Sequence, residues 1–423
     1  MKNIFVFIFA SLVLGCSNSK RQKDTEEYPI QEVIEIESKK EEPLDMYEKG
    51  TYGYDVNLLR DFPDALELKN GDSRLLFSLK YQGRVMTSSS NGYAGRSYGW
   101  INYELIESGE VLPQFNPVGG EERFWLGPEG GQYSLYFKPG SSFEFENWQV
   151  PACLDTIPFD VFLATDSVAV FLKSMEVENY SNFKFEFDLT RKIELMGKHQ
   201  VAEKLGISVP ENIKWVGYET TNTIENTGRE PWKKETGLIS VWLLGMFNPS
   251  PEVTVIIPYK KGVKSDYIVK DDYFGKIPED RLKITDGIIY FKGDGKQRGK
   301  IGIPPQRAMP VFGSYDAANQ VLTLVKCDIP KGETDYVNSA WEHQKYPYKG
   351  DAINAYNDGP LEDGGQLGPF YELEASSPAL ALAPDSTGTY IQSTYHFEGT
   401  EEQLDSICQQ VFKVSLQEVK DVF

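Results

Sequence analysis

Histidine is nearly absent from this chain of 423 residues; the three are His199, His343 and His396. No two of them sit at metal-ligand spacing, and no Gly-x-Ser-x-Gly elbow is present, which argues against a Ser or Cys triad hydrolase. Cysteine is scarce too. Cys16, Cys153, Cys327 and Cys408 are the four, with no pair at zinc-site spacing. Setting Cys16 aside leaves an odd number, compatible with one disulfide plus a free thiol or with three buried thiols. Positive charge is in deficit: 43 Lys and Arg stand against 63 Asp and Glu, a formal net charge of −20. Such a surface repels nucleic-acid phosphates and anionic headgroups, so no nucleic-acid partner is expected. It suits a neutral or cationic ligand, and it also serves plain solubility. No Gly-x-Gly-x-x-Gly follows a strand pattern, no P-loop lysine occurs, and no repeat of 20–50 residues is visible. Beyond the N-terminus the longest apolar run, 238–247, is too short for a membrane span and fits a buried strand.

What is present begins with an export signal. Lys2 precedes an apolar stretch over 4–14, and Val13-Leu14-Gly15-Cys16 resembles a lipobox. The expected mature protein starts at a lipid-bearing Cys16 and hangs from a membrane of the cell envelope by its acyl chains. Residues 16–48 are rich in Lys, Glu, Ser and Gln and read as a disordered tether. Residues 49–423 then form one folded domain.

That domain reads as all-β. Aromatics make up 13% of the chain, and short aromatic and β-branched runs are broken throughout by Gly and Pro. Asn70-Gly71 marks a hairpin between 66–68 and 74–81. Further strands are expected at 100–106, 133–138, 143–148, 160–173, 184–194, 214–225, 238–247, 253–258, 288–291, 299–303, 320–327, 379–383 and 389–397. Helices are expected near 57–65, at 198–205 ended by Gly206, and at 401–413 with Thr400 and Gln403 as a capping box. A large antiparallel sandwich with a few short helices follows.

Two stretches carry the chemistry. Residues 119–131 read GGEERFWLGPEGG and place Glu121, Glu122, Arg123, Trp125 and Glu129 on a glycine-rich bend. Acids, a guanidinium and an indole there can hydrogen-bond and stack on a polar ligand, or simply decorate a β-turn. Residues 350–379 carry Asp351, Asn354, Asn357, Asp358, Glu362, Asp363, Glu372 and Glu374. Such amides and carboxylates suit sugar hydroxyls, or a calcium ion, although the spacing is not that of an EF-hand loop. In Phe370-Tyr371-Glu372-Leu373-Glu374 both glutamates fall on one face of a strand, where they can divide acid and base roles or merely face solvent.

Three landmarks resemble the galactose mutarotase-like superfamily: Gly83-Arg84-Val85, the run Gly119–Glu129, and Leu373-Glu374 followed by Leu382-Ala383-Pro384 and Thr394-Tyr395-His396-Phe397. GGEERFWLGPEGG, YNDGP and FYELEASSPA further resemble a family of lipoproteins of unknown function from Bacteroidetes bacteria, over nearly all of 50–415. The resemblance implies a β-supersandwich with a concave carbohydrate site. In it Glu374 matches the general base, and Arg84 and Arg123 match groups that hold sugar oxygens; the paired carboxylates beside aromatics make Glu372, Glu122 or Glu129 the candidate acid. It also implies histidine acids in the region 226–247, where this chain has none and Trp242 or Met246 stands instead. An indole stacks on a sugar face but does not protonate a ring oxygen. Arg298 and Lys300 are further candidate cations, or parts of a solvated strand edge. The chain therefore reads as an envelope lipoprotein that binds carbohydrate without a cofactor. Epimerase-, lyase- or hydrolase-like action on the sugar, glycan binding alone and a structural envelope role all stay open, as does the oligomeric state.

Overall fold

The computed structural model describes residues 47–60, 65–361 and 364–423. The leader, Cys16, the tether up to residue 46, and Glu362 and Asp363 lie outside the described residues.

Among the described residues the alternating patterns become eighteen strands, joined by six α-helices. The first three strands, β1 (Ala65–Asn70), β2 (Ser73–Ser78) and β3 (Arg84–Ser89), form a small sheet. Next along the chain come β4 (Arg123–Gly127), β5 (Asp160–Ala164), β6 (Val168–Glu178), β7 (Lys184–Leu195), β8 (Lys214–Asn226), β9 (Ser240–Phe247) and β10 (Val253–Pro258). The rest are β11 (Leu282–Ile284), β12 (Ile288–Lys292), β13 (Gly299–Ile303), β14 (Val311–Asp316), β15 (Val321–Cys327), β16 (Ile353–Asn357), β17 (Tyr371–Ser376) and β18 (Thr387–Glu398). One sheet has ten strands, ordered β11-β12-β10-β14-β15-β18-β8-β7-β6-β5. The other has five, ordered β13-β16-β17-β9-β4, and the named pairings in both are antiparallel. The two sheets face each other: Tyr371 Oη on β17 lies 2.8 Å from Ser314 Oγ on β14. The Phe247 ring on β9 likewise meets His396 on β18, centroids 5.7 Å apart. The all-β sandwich read from the sequence is the observed architecture.

Strict alternation explains β7. Phe185, Phe187, Leu189, Ile193 and Leu195 are buried while most of the intervening residues face out. Each inward side chain contributes about 1.5–3 kcal/mol through apolar burial. On β9 every residue is buried, the expected state of a strand covered on both faces. The helices are α1 (Tyr52–Arg60), α2 (Tyr103–Ser108), α3 (Ala152–Asp155), α4 (Lys198–Leu205), α5 (Glu401–Phe412) and α6 (Leu416–Lys420). Helix α5 begins at the expected capping box, with Thr400 and Gln403 each bonding the other's backbone N–H. Its apolar face, Leu404, Ile407, Cys408 and Phe412, joins a core cluster that also holds Leu322, Leu324 and Phe397 of the ten-stranded sheet.

Several local expectations are corrected. Residues 100–106 hold no strand, because Asn102 Oδ1 accepts from Leu105 N–H and starts α2, which Gly109 ends in a left-handed turn. Residues 133–138 and 143–148 meet in a single bridge, Phe137 to Trp148. Their aromatics stack: Trp148 lies parallel to Tyr136, centroids 6.1 Å apart. The pattern over 160–173 breaks into β5 and β6, where Thr165 Oγ1 accepts from Val168 N–H. Residues 379–383 make one bridge, Leu380 to Ile239. Cys153, Cys327 and Cys408 are free thiols, and burial pushes the latter two up to about 12.

Candidate functional site

The pleat of the five-stranded sheet sorts its residues into two faces. Across the strands Trp125 pairs with Trp242, Trp242 with Ser376, Glu374 with Asn354, and Asn354 with Gly302. These residues and their i±2 neighbours point away from the ten-stranded sheet. The alternate set, including Phe124, Leu243, Leu373, Ala355 and Ile301, belongs to the interior core. On the outward face lies an open cleft of about 980 Å³, walled by Glu129, Trp242, Lys300, Trp341, Asp351, Asn354, Tyr356 and Asp358 among others. A second compartment of about 370 Å³ adjoins it, walled by Phe115, Arg123, Trp125, Trp148, Phe370 and Glu372. Glu129, Trp242, Arg298, Lys300 and Trp341 belong to both walls, so the two compartments adjoin.

Beneath this cleft the two expected glutamates sit side by side on β17, about 7 Å apart along the strand. Glu374 Oε2 accepts from Trp242 Nε1 at 2.9 Å and from Lys300 Nζ at 2.8 Å. The Glu374 side chain is fully covered, and its Oε1 has no hydrogen-bond partner among the described residues. Glu372 Oε1 accepts from Arg123 Nη2 at 3.1 Å. The Arg123 guanidinium lies 4.0 Å from the centroid of the Trp125 ring, and its Nε and Nη1 have no partner among the described residues. Lys300 Nζ also sits 4.9 Å from the Trp242 ring centroid.

The electrostatics divide these groups. Burial pushes Glu372 well above the usual carboxylate range; Arg123 and Lys300 pull it back, while Glu374 and Asp358 add to the push. Burial raises Glu129 too, against Lys300 and with Glu374. Lys300 is lowered by burial, but the charges of Glu374, Glu129 and Glu372 outweigh that and hold it above the usual lysine value. Asp351 is raised by burial and eased by the hydroxyls of Tyr273 and Tyr267, which both donate to it. Asp358, also raised by burial, accepts from Tyr356 and from Gly368 N–H. Asn354 Nδ2 donates to Ile301 O at 3.1 Å. The site thus offers a protonatable donor, carboxylate acceptors, a lysine, two guanidinium groups and several aromatic faces.

Arg123, Trp125, Glu129, Trp242, Asn354, Asp358 and Glu372 all line this cleft, and Glu374 lies directly behind Lys300 and Trp242. Arg84, Glu121, Glu122 and Asn357 do not line it. Gly119 and Gly120 are the reason for the first three. A Cβ on Gly119 would stand 2.1 Å from Trp100 O, and one on Gly120 would meet the Arg84 side chain at 2.6 Å. The glycine pair is a close backbone crossing, with φ of 92° and 115°, rather than a ligand-facing bend. It tucks the next two residues into the interior. Glu122 accepts from Arg191 Nη2 at 2.8 Å and from Gln392 Nε2 at 2.9 Å. Glu121 pairs with His396 and accepts from Ser88 Oγ at 2.7 Å. Arg84 donates to Gly119 O, and burial followed by the charge of Arg123 lowers it to about 9. Asn357 belongs to the inward phase of β16 and ties Gly295 N–H and Gln297 O together. Among the described residues no three His, Cys, Asp or Glu side chains are grouped to hold a metal ion.

Of four further wall residues, the sequence offers two, Arg298 and Lys300, as candidate cations and says nothing of Trp148 and Trp341. Lys300 and Arg298 were indistinguishable from a solvated edge, although Gly-Lys-Ile-Gly-Ile alternates and so marks one lysine on one face. Trp341 and Trp148 carried no signal, because loop aromatics have no periodicity. None of the three histidines lines the cleft.

Among curated proteins none matches the sequence. Among solved structures, a galactose mutarotase-like protein from Lactobacillus casei is similar at 11% identity and a TM-score of 0.46, covering 78% of this chain and 99% of its own. A galactose mutarotase related enzyme from Lactobacillus acidophilus is similar at 12% identity and a TM-score of 0.45, covering 79% and 98%. A family model matches residues 50–423, from the start of α1's approach to the last residue, and the chain belongs to that family of unknown function, DUF6786.

Proposed function

We propose that this protein is an envelope lipoprotein, anchored through Cys16, that binds carbohydrate in the cleft on the outward face of the five-stranded sheet. One observation carries the reading: Trp125, Trp242, Arg123, Lys300 and Glu372 converge from β4, β9, β13 and β17 on two adjoining compartments, with Glu374 held just behind by Lys300 and Trp242. Sugars present hydroxyl groups that need paired donors and acceptors, and apolar ring faces that need flat partners. This wall supplies both. A chemical step is open to the same groups. Glu374 Oε1, free of partners, takes the proton from an anomeric hydroxyl once the flexible Lys300 side chain makes room. Glu372, whose protonated form burial favours, gives its proton to the ring oxygen as the bond between C1 and that oxygen breaks. Reclosure with the proton transfers reversed gives either anomer. Titration calorimetry across a sugar panel tests the binding, and anomer exchange followed by NMR tests the step. A Glu374→Gln variant with undiminished affinity and undiminished exchange would refute the reading.

A second reading, capture of glycans without chemistry, is favoured by the lack of any histidine on the wall. Sugar binding with no exchange and no new reducing ends would select it. The anchor is tested separately: a Cys16→Ala variant should leave the membrane fraction.

A further inference from the structure

The cleft is larger than one sugar ring. At about 30 Å³ of liquid per water, its larger compartment equals roughly thirty waters, several times the volume of a pyranose. It also has a direction. Phe145 stands 57% exposed at the mouth. Its ring stacks on Trp148 with centroids 6.0 Å apart and planes 17° apart. Trp148 in turn stacks on Trp341 at 6.1 Å and 23°. Trp341 and Glu129 both line the junction of the two compartments. These rings therefore line the way from solvent toward the carboxylates, with Trp148 only 6% exposed between its neighbours. Across the gap, Phe274 is 49% exposed and carries the Arg298 guanidinium 3.9 Å from its ring centroid.

Charge narrows the occupant. Among its described residues the larger compartment is walled by six carboxyl groups (Glu129, Glu144, Asp272, Glu342, Asp351, Asp358) and three cations (Lys270, Arg298, Lys300). Cations do not outnumber the carboxyl groups there, so nothing on this wall favours a uronate or sulfated glycan.

Resting on the carbohydrate reading above, we infer that the ligand is a neutral oligosaccharide. Its chain lies along Phe145, Trp148 and Trp341, and its end unit reaches Glu372 and the Lys300–Glu374 pair. Successive units add stacking area, so affinity grows with chain length until the stack is covered.

The experiment is calorimetry on the full chain with neutral gluco-oligosaccharides. The series are α-1,4-, β-1,4- and β-1,3-linked, from the monosaccharide to about six units, with galacturonate oligomers of matched length beside them. At least one neutral series should tighten about tenfold or more between one unit and four, with the galacturonates weaker by a similar factor. Phe145→Ala, at an exposed position where folding is not at stake, should weaken the long members more than the short ones. Equal affinity for short and long members would overturn the oligosaccharide inference and leave the sugar site standing. Tighter galacturonate binding would overturn the neutral-ligand inference alone. No heat with any series would overturn this inference and the carbohydrate reading together.

Discussion

Two clusters of carboxylate and cation lie on either side of the start of β4, and they use their atoms differently. In the interior cluster both oxygens of Glu122 are bonded, to Arg191 and Gln392. Arg191 has its other nitrogens on Asn222 Oδ1 and Gly83 O. Both side chains are fully buried. In the cleft cluster Glu374 keeps one oxygen free, and Arg123 uses one nitrogen of three among the described residues. A saturated charge in a dry interior is architecture, since any missing bond there costs the full desolvation of the group. A charge with bonding capacity left over, beside a hollow, is the arrangement expected of a ligand site. Residue type does not separate these two pairs; their saturation differs, although polar atoms without a partner among the described residues also occur in the interior, at Glu121 Oε2 and Arg84 Nε.

The comparison is broken most severely from the interior side. Arg191→Leu leaves Glu122 buried without its partner, so unfolding free energy in urea should fall by about 3–5 kcal/mol. A loss below about 1 kcal/mol would mean that the interior pair is not structural. On the cleft side, Glu374→Gln should reduce sugar affinity by tenfold or more, about 1.4 kcal/mol, with a smaller stability change than Arg191→Leu. A reversed order of the two stability effects would remove the distinction.

The pH dependence sharpens the same contrast. Glu372 binds its proton more tightly folded than unfolded, since its folded value is raised from 4.5 to about 8. Between those values the folded state holds a proton that the unfolded state has released. Stability from this group therefore falls as pH rises through that window. Glu372→Gln should flatten the fall in a melting-temperature series, whereas Arg191→Leu should leave its slope in place. The smallest expected effect is Trp242→Phe, which keeps a ring over Lys300 and deletes the indole donor to Glu374. It should cost about 1 kcal/mol of stability, read by urea unfolding, and lower sugar affinity only severalfold.

The sequence announces the architecture more readily than the site. β7 is visible because Phe-Lys-Phe-Glu-Phe alternates, and α5 because its cap and apolar stripe are local. The polar strand Ile-Asn-Ala-Tyr-Asn of β16 is not visible as a strand, since its Asn354 and Tyr356 serve the cleft and dilute the apolar pattern. Glu122 looked like a ligand group because its partners are remote, 69 and 270 positions away in Arg191 and Gln392. The glycine pair before it was legible as a backbone constraint, but only the crossing of Trp100 O decides which way the chain turns. Glu372 and Glu374 were placed on one face by the simplest rule available, strand periodicity. Lys300 could not be joined to them, because the pairing of β13 with β16 and of β16 with β17 is a property of the fold.

That alternation on β17 has a corollary. Tyr371, Leu373 and Ala375 register the two layers, while Glu372 and Ser376 line the cleft and Glu374 sits just behind it. Substitutions at the second set therefore change the cleft wall, while those at the first disturb the packing of the two sheets. A one-residue insertion within the strand would exchange the two sets and disrupt wall and packing at once.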